Sequence, residues 1–379
     1  PVLDTTPAPA PVVLPLITKK IAVGAVKMFA INTSAVVKSA GANYDSSNNI
    51  YGQLGLNLGT STNYNTLQLL ADSPVQYVSV ASGEATNCGI TSALTIKCWG
   101  GYTGTGSAAD ILTPTTIDDS STYNDVAAGS YHSCGVTTAG ILKCWGDGWD
   151  GKLGNGDSLG DMQNSPVIAD SGTLYKKVAA GRNHTCGITS ADVLKCWGTM
   201  ANGQVGNNSF ASAGMIIPTI INAGTSYQEI SAGEDTTCGI TTAGVLKCWG
   251  YNSNGQLGDN TTVSKAVPTI IDSGVNYSKI STGGSTSYHT CGITVAGVLK
   301  CWGNNGNGQL GNASTTQSLI PVIIDAGTSY REVSVYHAHS CGITTGGTLK
   351  CWGLNTSGQL GSTLGGPQQT SPVTIGVGY

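Results

Sequence analysis

Twelve cysteines are the residues of this chain with the most evident chemistry, and they recur in pairs. Each pair belongs to a short segment, of which HTCGITSADVLKCWG at residues 184–198 is representative. Two thiols at such a spacing can form a disulfide, or they can bind a metal ion together with a nearby imidazole. A histidine stands two residues before the first cysteine in four copies of the segment, at His132, His184, His289 and His339.

The segment has the alternation of a β-hairpin, and the hairpin register bears on this choice. Placing Thr189 opposite Val193 puts Cys186 opposite Cys196. Directly opposed residues of antiparallel strands have Cα atoms roughly 4.5 to 5.5 Å apart, which is within disulfide range. The register therefore predicts that the two cysteines of each copy are bonded to each other.

The turn of the hairpin needs a residue in the left-handed conformation at its third position. Asp192 can take that conformation, whereas Leu94 is expected to fit poorly. Glycine occupies the position in the other cysteine-bearing copies, at Gly140, Gly244, Gly297 and Gly347.

Cross-strand pairing leaves no cysteine over. A seventh copy at residues 21–41 lacks both cysteines together, with Phe29 and Ser39 in their places, as expected if each cysteine matters only through the other. Each bridge should stabilise the fold by about 3 kcal/mol on the chain-entropy model, and paired cysteines indicate an oxidising compartment. The predicted disulfides are Cys88–Cys98, Cys134–Cys144, Cys186–Cys196, Cys238–Cys248, Cys291–Cys301 and Cys341–Cys351.

The histidines are expected to be structural rather than metal ligands. Two copies keep both cysteines while having Thr86 or Thr236 at the histidine position. A metal site built on that position would be lost in those copies, so we predict no metal.

A lysine precedes the second cysteine, or its substitute, in every copy. Symmetry would place these lysines in a ring that could bind an acidic partner. A solvated strand position is the simpler interpretation and the one we expect. The lysines are Lys38, Lys97, Lys143, Lys195, Lys247, Lys300 and Lys350.

The acidic, glycine-rich run Gly146–Asp161 has a composition that also suits a calcium loop. It lacks the alternating ligands that end in a glutamate, so we expect ordinary turns. Trp149 lies in this run and outside the repeat, and we predict that it is an exposed contact for a protein partner. The tryptophans of the repeat are predicted to pack in the core: Trp99, Trp145, Trp197, Trp249, Trp302 and Trp352.

Composition and period predict the fold class. The 54 glycines, two phenylalanines and 10% charged residues favour short strands and turns over helices. The repeat has a spacing of about 50 residues, enough for four strands, which is the size of a propeller blade. We predict an all-β fold, a single seven-bladed β-propeller. The repeats start at Ile21, Val80, Val126, Val178, Ile230, Ile280 and Val333.

The chain divides into a Pro-rich N-terminal extension at residues 1–20 and the propeller at residues 21–379. There is no initiating Met or signal pattern, so we expect residue 1 to be a mature terminus after export. Ser371–Tyr379 matches the Pro-led strand that follows each hairpin, and Pro11–Thr18 resembles it too. We expect the two segments to compete for one closing position, with the N-terminal one doubling the closure or docking on a neighbouring copy.

The repeat resembles that of the regulator of chromosome condensation repeat family. Its copies follow AG-x-x-H-[ST]-x-G-[IV]-T and continue to K-x-WG and a GQLG turn, as at Gly255 and Gly308. The resemblance implies a seven-bladed β-propeller over residues 21–379. The family's nuclear member is an exchange factor for a small GTPase on chromatin, and its secreted bacterial relatives include an inhibitor of β-lactamases. The disulfides, the mild acidity and the lack of a basic tail favour an exported, disulfide-bearing branch.

Catalysis finds no support in the residue pattern, because four of the five histidines belong to the repeat and no cysteine is left unpaired. We predict a non-enzymatic protein without a cofactor or a membrane-spanning segment. The net charge of -4 argues against a nucleic-acid partner. We expect an extracellular or cell-surface structural protein that associates with copies of itself. The alternative is a secreted protein-binding module, such as an enzyme inhibitor or an adhesin.

Overall fold

A computed structural model describes residues 18–44, 49–106, 109–157, 159–284, 288–363 and 366–379. These residues form seven four-stranded antiparallel sheets, each built from strands that are consecutive in the chain. Each sheet is one blade, numbered one to seven in chain order. The prediction of an all-β, seven-bladed propeller is confirmed. The short 3-10 turn Trp149–Gly151 is the only helical element among the described residues.

Every blade runs from the ring centre outward in chain order. The first strands are Ile21–Val23 (β1), Tyr77–Ser82 (β5), Tyr123–Ala128 (β9), Tyr175–Ala180 (β13), Tyr227–Ala232 (β17), Tyr277–Thr282 (β21) and Tyr330–Tyr336 (β25). The second strands are Lys27–Ile31 (β2), Thr86–Thr91 (β6), His132–Thr137 (β10), His184–Thr189 (β14), Thr236–Thr241 (β18), His289–Thr294 (β22) and His339–Thr344 (β26). The third strands are Val37–Ala42 (β3), Ile96–Gly100 (β7), Leu142–Gly146 (β11), Leu194–Gly198 (β15), Leu246–Gly250 (β19), Leu299–Gly303 (β23) and Thr348–Leu354 (β27). The outer strands are Asn63–Leu69 (β4), Ile111–Thr116 (β8), Gln163–Ile168 (β12), Met215–Ile220 (β16), Lys265–Ile270 (β20), Ser318–Ile323 (β24) and Gln368–Val377 (β28).

The ring closes by packing between the first and the last blade. Each first strand contacts the first strands of both neighbouring blades, and β25 of blade seven contacts β1 of blade one. The core is correspondingly divided into hydrophobic clusters that lie between adjacent blades, each containing residues of both. Packing between neighbouring blades therefore stabilises the whole ring, including the join between the first and the last blade.

The hairpin register agrees with the sequence prediction. Cys186 lies opposite Cys196, and the six expected disulfides are all present, with paired Cα atoms 4.1 Å apart, slightly closer than the predicted range. In blade one, Phe29 lies opposite Ser39 as expected. The repeat tryptophans are fully buried, as predicted.

Leu94 takes the left-handed turn conformation that we expected to suit a leucine poorly. Leu94 adopts φ +62°. Its N–H donates to the carbonyl of Thr91, and its carbonyl accepts from the N–H of Tyr123 in the next blade. The Leu94 side chain also packs on the cluster that contains Tyr123. The two backbone bonds are the ones that glycine makes in other blades, such as Gly140, so only the side-chain packing offsets the roughly 1 to 2 kcal/mol that the conformation costs a leucine.

Of the two segments predicted to compete for a closing strand, only Ser371–Tyr379 lies wholly within the described residues, so the competition stays a prediction. The strand β28 contains most of Ser371–Tyr379 and is the ordinary outer strand of blade seven, while blade one has four strands of its own. Residues 11–17 lie outside the described residues.

The residues after β28 nevertheless reach blade one. The N–H of Thr33 in blade one donates to the carbonyl of Gly378. Tyr379 is buried in the cluster between blades seven and one, and its N–H donates to the carbonyl of Gly347. In other blades the first residue of the next inner strand makes this same bond, as Tyr77 does to Ala35. Tyr379 thus occupies the position that the first residue of the next blade's inner strand occupies elsewhere in the ring.

Candidate protein-interaction site

The signature residues of the repeat meet at the interfaces between blades. His184 of blade four places Nε2 2.8 Å from the hydroxyl of Thr237 in blade five. That hydroxyl donates to the carbonyl of Gln204 at 2.8 Å, and Nε1 of Trp249 donates to the same carbonyl at 2.9 Å. Equivalent contacts involve His132 with Thr185 and His289 with Ser340.

This geometry gives the histidines a structural role. Because the threonine hydroxyl donates to a carbonyl, it accepts a hydrogen bond from Nε2–H of the imidazole. The rings are neutral because burial disfavours their charged form. Burial lowers the pKa of His184 to about 4 and that of His339 to about 3. The sulfur atoms are bonded to each other, so the arrangement of imidazole and thiolate ligands that a metal would need is not formed.

In five blades the lysine of the repeat is partly buried and paired with an aspartate. In those blades the predictions of a solvated lysine and of an exposed positive ring are both wrong. Lys195 contacts Asp170 at 2.7 Å, and the hydroxyl of Tyr175 donates to the same carboxylate oxygen at 2.6 Å. Burial acts to raise the pKa of Asp170, but the hydrogen bonds from Lys195 and Tyr175 keep that pKa below its ordinary value. The paired lysines are Lys97, Lys143, Lys195, Lys300 and Lys350.

The acidic run after blade three's hairpin folds as a set of turns. The carboxylate of Asp147 accepts from the backbone N–H of Trp149 and pairs with Lys152 at 2.5 Å. Asp150 accepts from the hydroxyl of Thr199, and Asp157 accepts from a backbone N–H. These carboxylates point to different partners instead of converging, which supports the turn interpretation over a calcium site.

Trp149 is exposed, as the sequence indicated, with 68% of its surface accessible. It stands at the end of the ring where first strands lead into second strands and third strands into outer strands. Leu159 and Phe210, on loops at the same end, are 79% and 54% exposed. Gly160 packs against the backbone of Trp149, which brings Leu159 close to it.

Tyrosines extend this surface around the ring. Tyr102 lies edge-on to Tyr131 at a centroid distance of 5.4 Å and to Tyr51 at 6.4 Å, and Tyr251 lies edge-on to Tyr288 at 5.1 Å. All five are half-buried. We call this end the aromatic face and define it by Tyr51, Tyr102, Tyr131, Trp149, Tyr251 and Tyr288.

One side chain, Tyr336, reaches from blade seven to blade three at the aromatic face. Tyr336 occupies a position that is glycine in the other blades, and its hydroxyl lies 3.1 Å from that of Ser130 in blade three. A Cβ at Gly233 would come within 2.2 Å of the carbonyl of Gly283, so the other blades have no space for a side chain there. Sequence reasoning missed this residue, although its departure from the glycine pattern was visible.

The opposite mouth of the channel is lined with charges. Lys19 contacts Asp125 at 2.9 Å, and the backbone N–H of Lys20 donates to Glu332 at 2.7 Å. The chain therefore enters blade one at the channel axis.

The outer strands form a second exposed surface, which we call the apolar rim. Their large aliphatic side chains are about half exposed, and they repeat from blade to blade at the same positions. The apolar rim consists of Leu69, Ile168, Ile217, Ile220, Val267, Ile270, Ile320 and Ile323. Within the described ranges, no helix is long and apolar enough to cross a membrane.

Comparisons with known proteins agree with this architecture. A model of the regulator of chromosome condensation (RCC1) repeat matches residues 124–151, 175–204, 227–256, 279–309 and 330–359. A second model of the same repeat matches residues 244–293.

The related proteins share part of their length with this chain. The ultraviolet-B receptor UVR8 of Arabidopsis thaliana is 28% identical over 47% of this chain and 41% of its own length. The probable E3 ubiquitin-protein ligase HERC4 of Homo sapiens is 30% identical over 46% of this chain and 17% of its own length. The chain thus spans less than half the length of these relatives.

Solved structures match over nearly the whole ring. Prp20p from Saccharomyces cerevisiae superposes with a TM-score of 0.73 and 17% identity, covering 96% of this chain and 87% of that one. Human WBSCR16 superposes with a TM-score of 0.72 and 20% identity, covering 87% and 88%. At these identities the likeness concerns the fold.

Proposed function

We infer that this chain, a regulator of chromosome condensation repeat protein folded as a seven-bladed β-propeller, is a non-enzymatic interaction protein of the cell surface or extracellular space that associates with copies of itself. Propellers of this repeat are protein-interaction modules. The structure of Prp20p was reported together with its binding to Gsp1p and histones. The ring alone does not specify a partner.

The disulfides support a location outside the reducing cytoplasm. All described cysteines are paired within their own hairpins and fully buried. Disulfides of this kind persist in oxidising compartments and are rare where glutathione keeps thiols reduced.

The histidines and lysines of the repeat, residue types that often act in catalysis, make contacts between blades. The repeat histidines are bonded to hydroxyls across blade interfaces, as His184 is to Thr237. The repeat lysines pair with aspartates between consecutive blades, as Lys195 does with Asp170. This use of the reactive side chains favours a binding role over an enzymatic one.

Self-association rests on a single observation, the apolar rim. Ile217, Ile220, Ile320 and Ile323 are each half exposed on the outermost strands. Apolar side chains on the outer strand of a sheet favour contact with another chain. The same positions are apolar and half exposed on the outer strands of blades one, three, four, five and six.

We expect the purified, non-reduced chain to sediment as species larger than a monomer, in proportions that increase with concentration. Sedimentation velocity over a range of concentrations measures this. Trp149→Ala should leave the size distribution unchanged, because the aromatic face lies away from the apolar rim. A monomer at every concentration would contradict the proposal.

The second candidate is a secreted module that binds a different protein, and the aromatic face favours it. Exposed Trp and half-buried Tyr residues are the side chains most enriched where protein partners bind. A monomeric chain whose affinity for a purified target falls at least tenfold on Trp149→Ala would establish this alternative.

A further inference from the structure

One outer strand differs from the other six. In each blade, the conserved glycine of the third strand pairs with a residue of the outer strand. Three residues after that partner, six of the outer strands have a proline. In blade one Gly41 pairs with Tyr64, and the equivalent position is Leu67. The prolines are Pro114, Pro166, Pro218, Pro268, Pro321 and Pro372.

The proline position faces outward, away from the third strand. Ala266, two residues before Pro268, turns its carbonyl outward to accept from the N–H of Asn208 in a loop of the previous blade at 2.8 Å. Backbone groups two residues apart in a strand point to the same side. Six edges therefore lack an outward N–H at this position, which limits pairing with a further strand. At the end of β4, the N–H of Leu70 donates inward to the carbonyl of Val37, so strand alternation directs the N–H of Leu67, three residues earlier, outward.

The chain contains a segment suited to such an edge. Residues 11–17 read PVVLPLI and resemble the outer strands, for example PVII at residues 321–324. Both prolines of the segment fall on odd-numbered positions, whereas Val12, Leu14 and Leu16 keep their N–H groups on the alternate positions. One side of the segment can thus form a backbone ladder while both prolines face away from it.

The segment cannot cover the β4 edge of its own molecule. Lys19 and Lys20 are held at the channel axis beside β1, by Asp125 and Glu332. A strand paired with β4 would lie four strand spacings from β1, about 19 Å. A residue spans at most about 3.6 Å, so residues 13–17 cannot reach that position from Thr18.

We propose that residues 11–17 of one copy pair with the outer edge of Asn63–Leu69 of a second copy, adding a fifth strand to its blade one. This inference rests on the proposed self-association and specifies how it occurs. Each copy offers one segment and one edge, so the contact is head-to-tail and joins copies into rings or open chains.

Full-length variants test the two sides of the contact separately. Leu67→Pro removes the outward N–H, whereas Leu67→Ala removes the same side chain and keeps the N–H. Leu14→Pro and Leu14→Ala form the matching pair in the segment. Sedimentation velocity should show association weakened at least tenfold in each proline variant relative to its alanine control.

Mixing the two proline variants gives the decisive measurement. Each variant retains the half that the other lacks, so an equimolar mixture should form a dimer that does not extend further. Equal association of Leu67→Pro and Leu67→Ala, or no dimer in the mixture, would overturn the assignment. If Leu67→Pro does not fold, judged by its circular dichroism, the Leu14 pair decides alone.

The outcomes separate the two proposals. If the wild-type chain associates and all four variants associate equally well, self-association stands and the edge contact is removed. A wild-type chain that stays monomeric removes both proposals, because it carries both the segment and the edge.

Discussion

Side chains of the repeat form hydrogen bonds and ion pairs between consecutive blades. Blade five lacks one of these ion pairs. Asn222 stands where other blades have an aspartate, and its amide donates to the hydroxyl of Tyr227 at 2.8 Å. Lys247 consequently has no carboxylate partner among the described residues. The chain thus contains a natural comparison for the Lys–Asp–Tyr contact.

Asn222→Asp should stabilise the protein at pH 7 by about 0.5 to 1 kcal/mol, the range for a partly exposed ion pair. The new carboxylate would pair with Lys247. An aspartate whose pKa is lowered in the fold, as for Asp170, stabilises above its unfolded pKa, and that gain is lost as the pH falls toward the folded pKa. Urea unfolding midpoints under non-reducing conditions measure the change.

Asp170→Asn provides the reverse comparison and should lower the midpoint by a similar amount. If Asp170→Asn destabilises while Asn222→Asp has no effect at pH 7, Lys247 does not reach the carboxylate and the equivalence of the blades fails at this position.

At the scale of the blade, neutral histidines connect neighbouring sheets. Nδ1 of His184 is buried without a hydrogen-bond partner, and Nε2 is bonded to Thr237. Protonation would place a charge inside the blade interface. Blade five has Thr236 at the same position, bonded to the carbonyl of Tyr251, so the interface forms without the imidazole.

Acid should therefore weaken the ring, because the unfolded chain takes up a proton on His184 at a higher pH than the folded chain does. The pKa of His184 falls from about 6.5 in the unfolded chain to about 4 in the fold. The unfolded chain binds the proton first, so stability decreases as the pH falls from about 6.5 to about 4, by up to about 3 kcal/mol for this group. His184→Thr should reduce the loss, measured as urea midpoints across this pH range. An unchanged pH dependence would contradict a buried neutral His184.

For the molecule as a whole, the join between blades seven and one differs from the others. Blade one has no disulfide, and Ala40 stands where the other blades have tryptophan. Tyr379 is buried in this join, 8% exposed, with Ile21 and Met28 in the same cluster. A side chain from beyond the last strand thus fills part of the interface that closes the ring.

Tyr379→Ala should destabilise the ring by about 3 to 5 kcal/mol, the cost of truncating a large buried aromatic side chain. Tyr379→Phe keeps the packing and should retain most of the stability. Val377→Ala, at a position 77% exposed, is the control for a change in the same segment. Thermal unfolding under non-reducing conditions compares the three variants. Equal effects of Tyr379→Ala and Val377→Ala would show that the join does not depend on Tyr379.

The sequence by itself determined the features that depend on neighbours in the chain. The hairpin register followed from alternation around a short turn, and it placed Cys186 opposite Cys196. The spacing of the repeat predicted four strands per blade, and its seven copies predicted seven blades. The exposure of Trp149 followed from its place outside the repeat.

Only the tertiary structure decided the features that depend on residues from different blades. Lys195 was interpreted as solvated because Asp170, its partner, lies far from it along the chain. Tyr336 and Tyr379 acquire their roles from Ser130 and Gly347, on other strands. The physical reason is that a strand's own alternation shows which face is buried, whereas the partner on that face is set by how the blades pack around the ring.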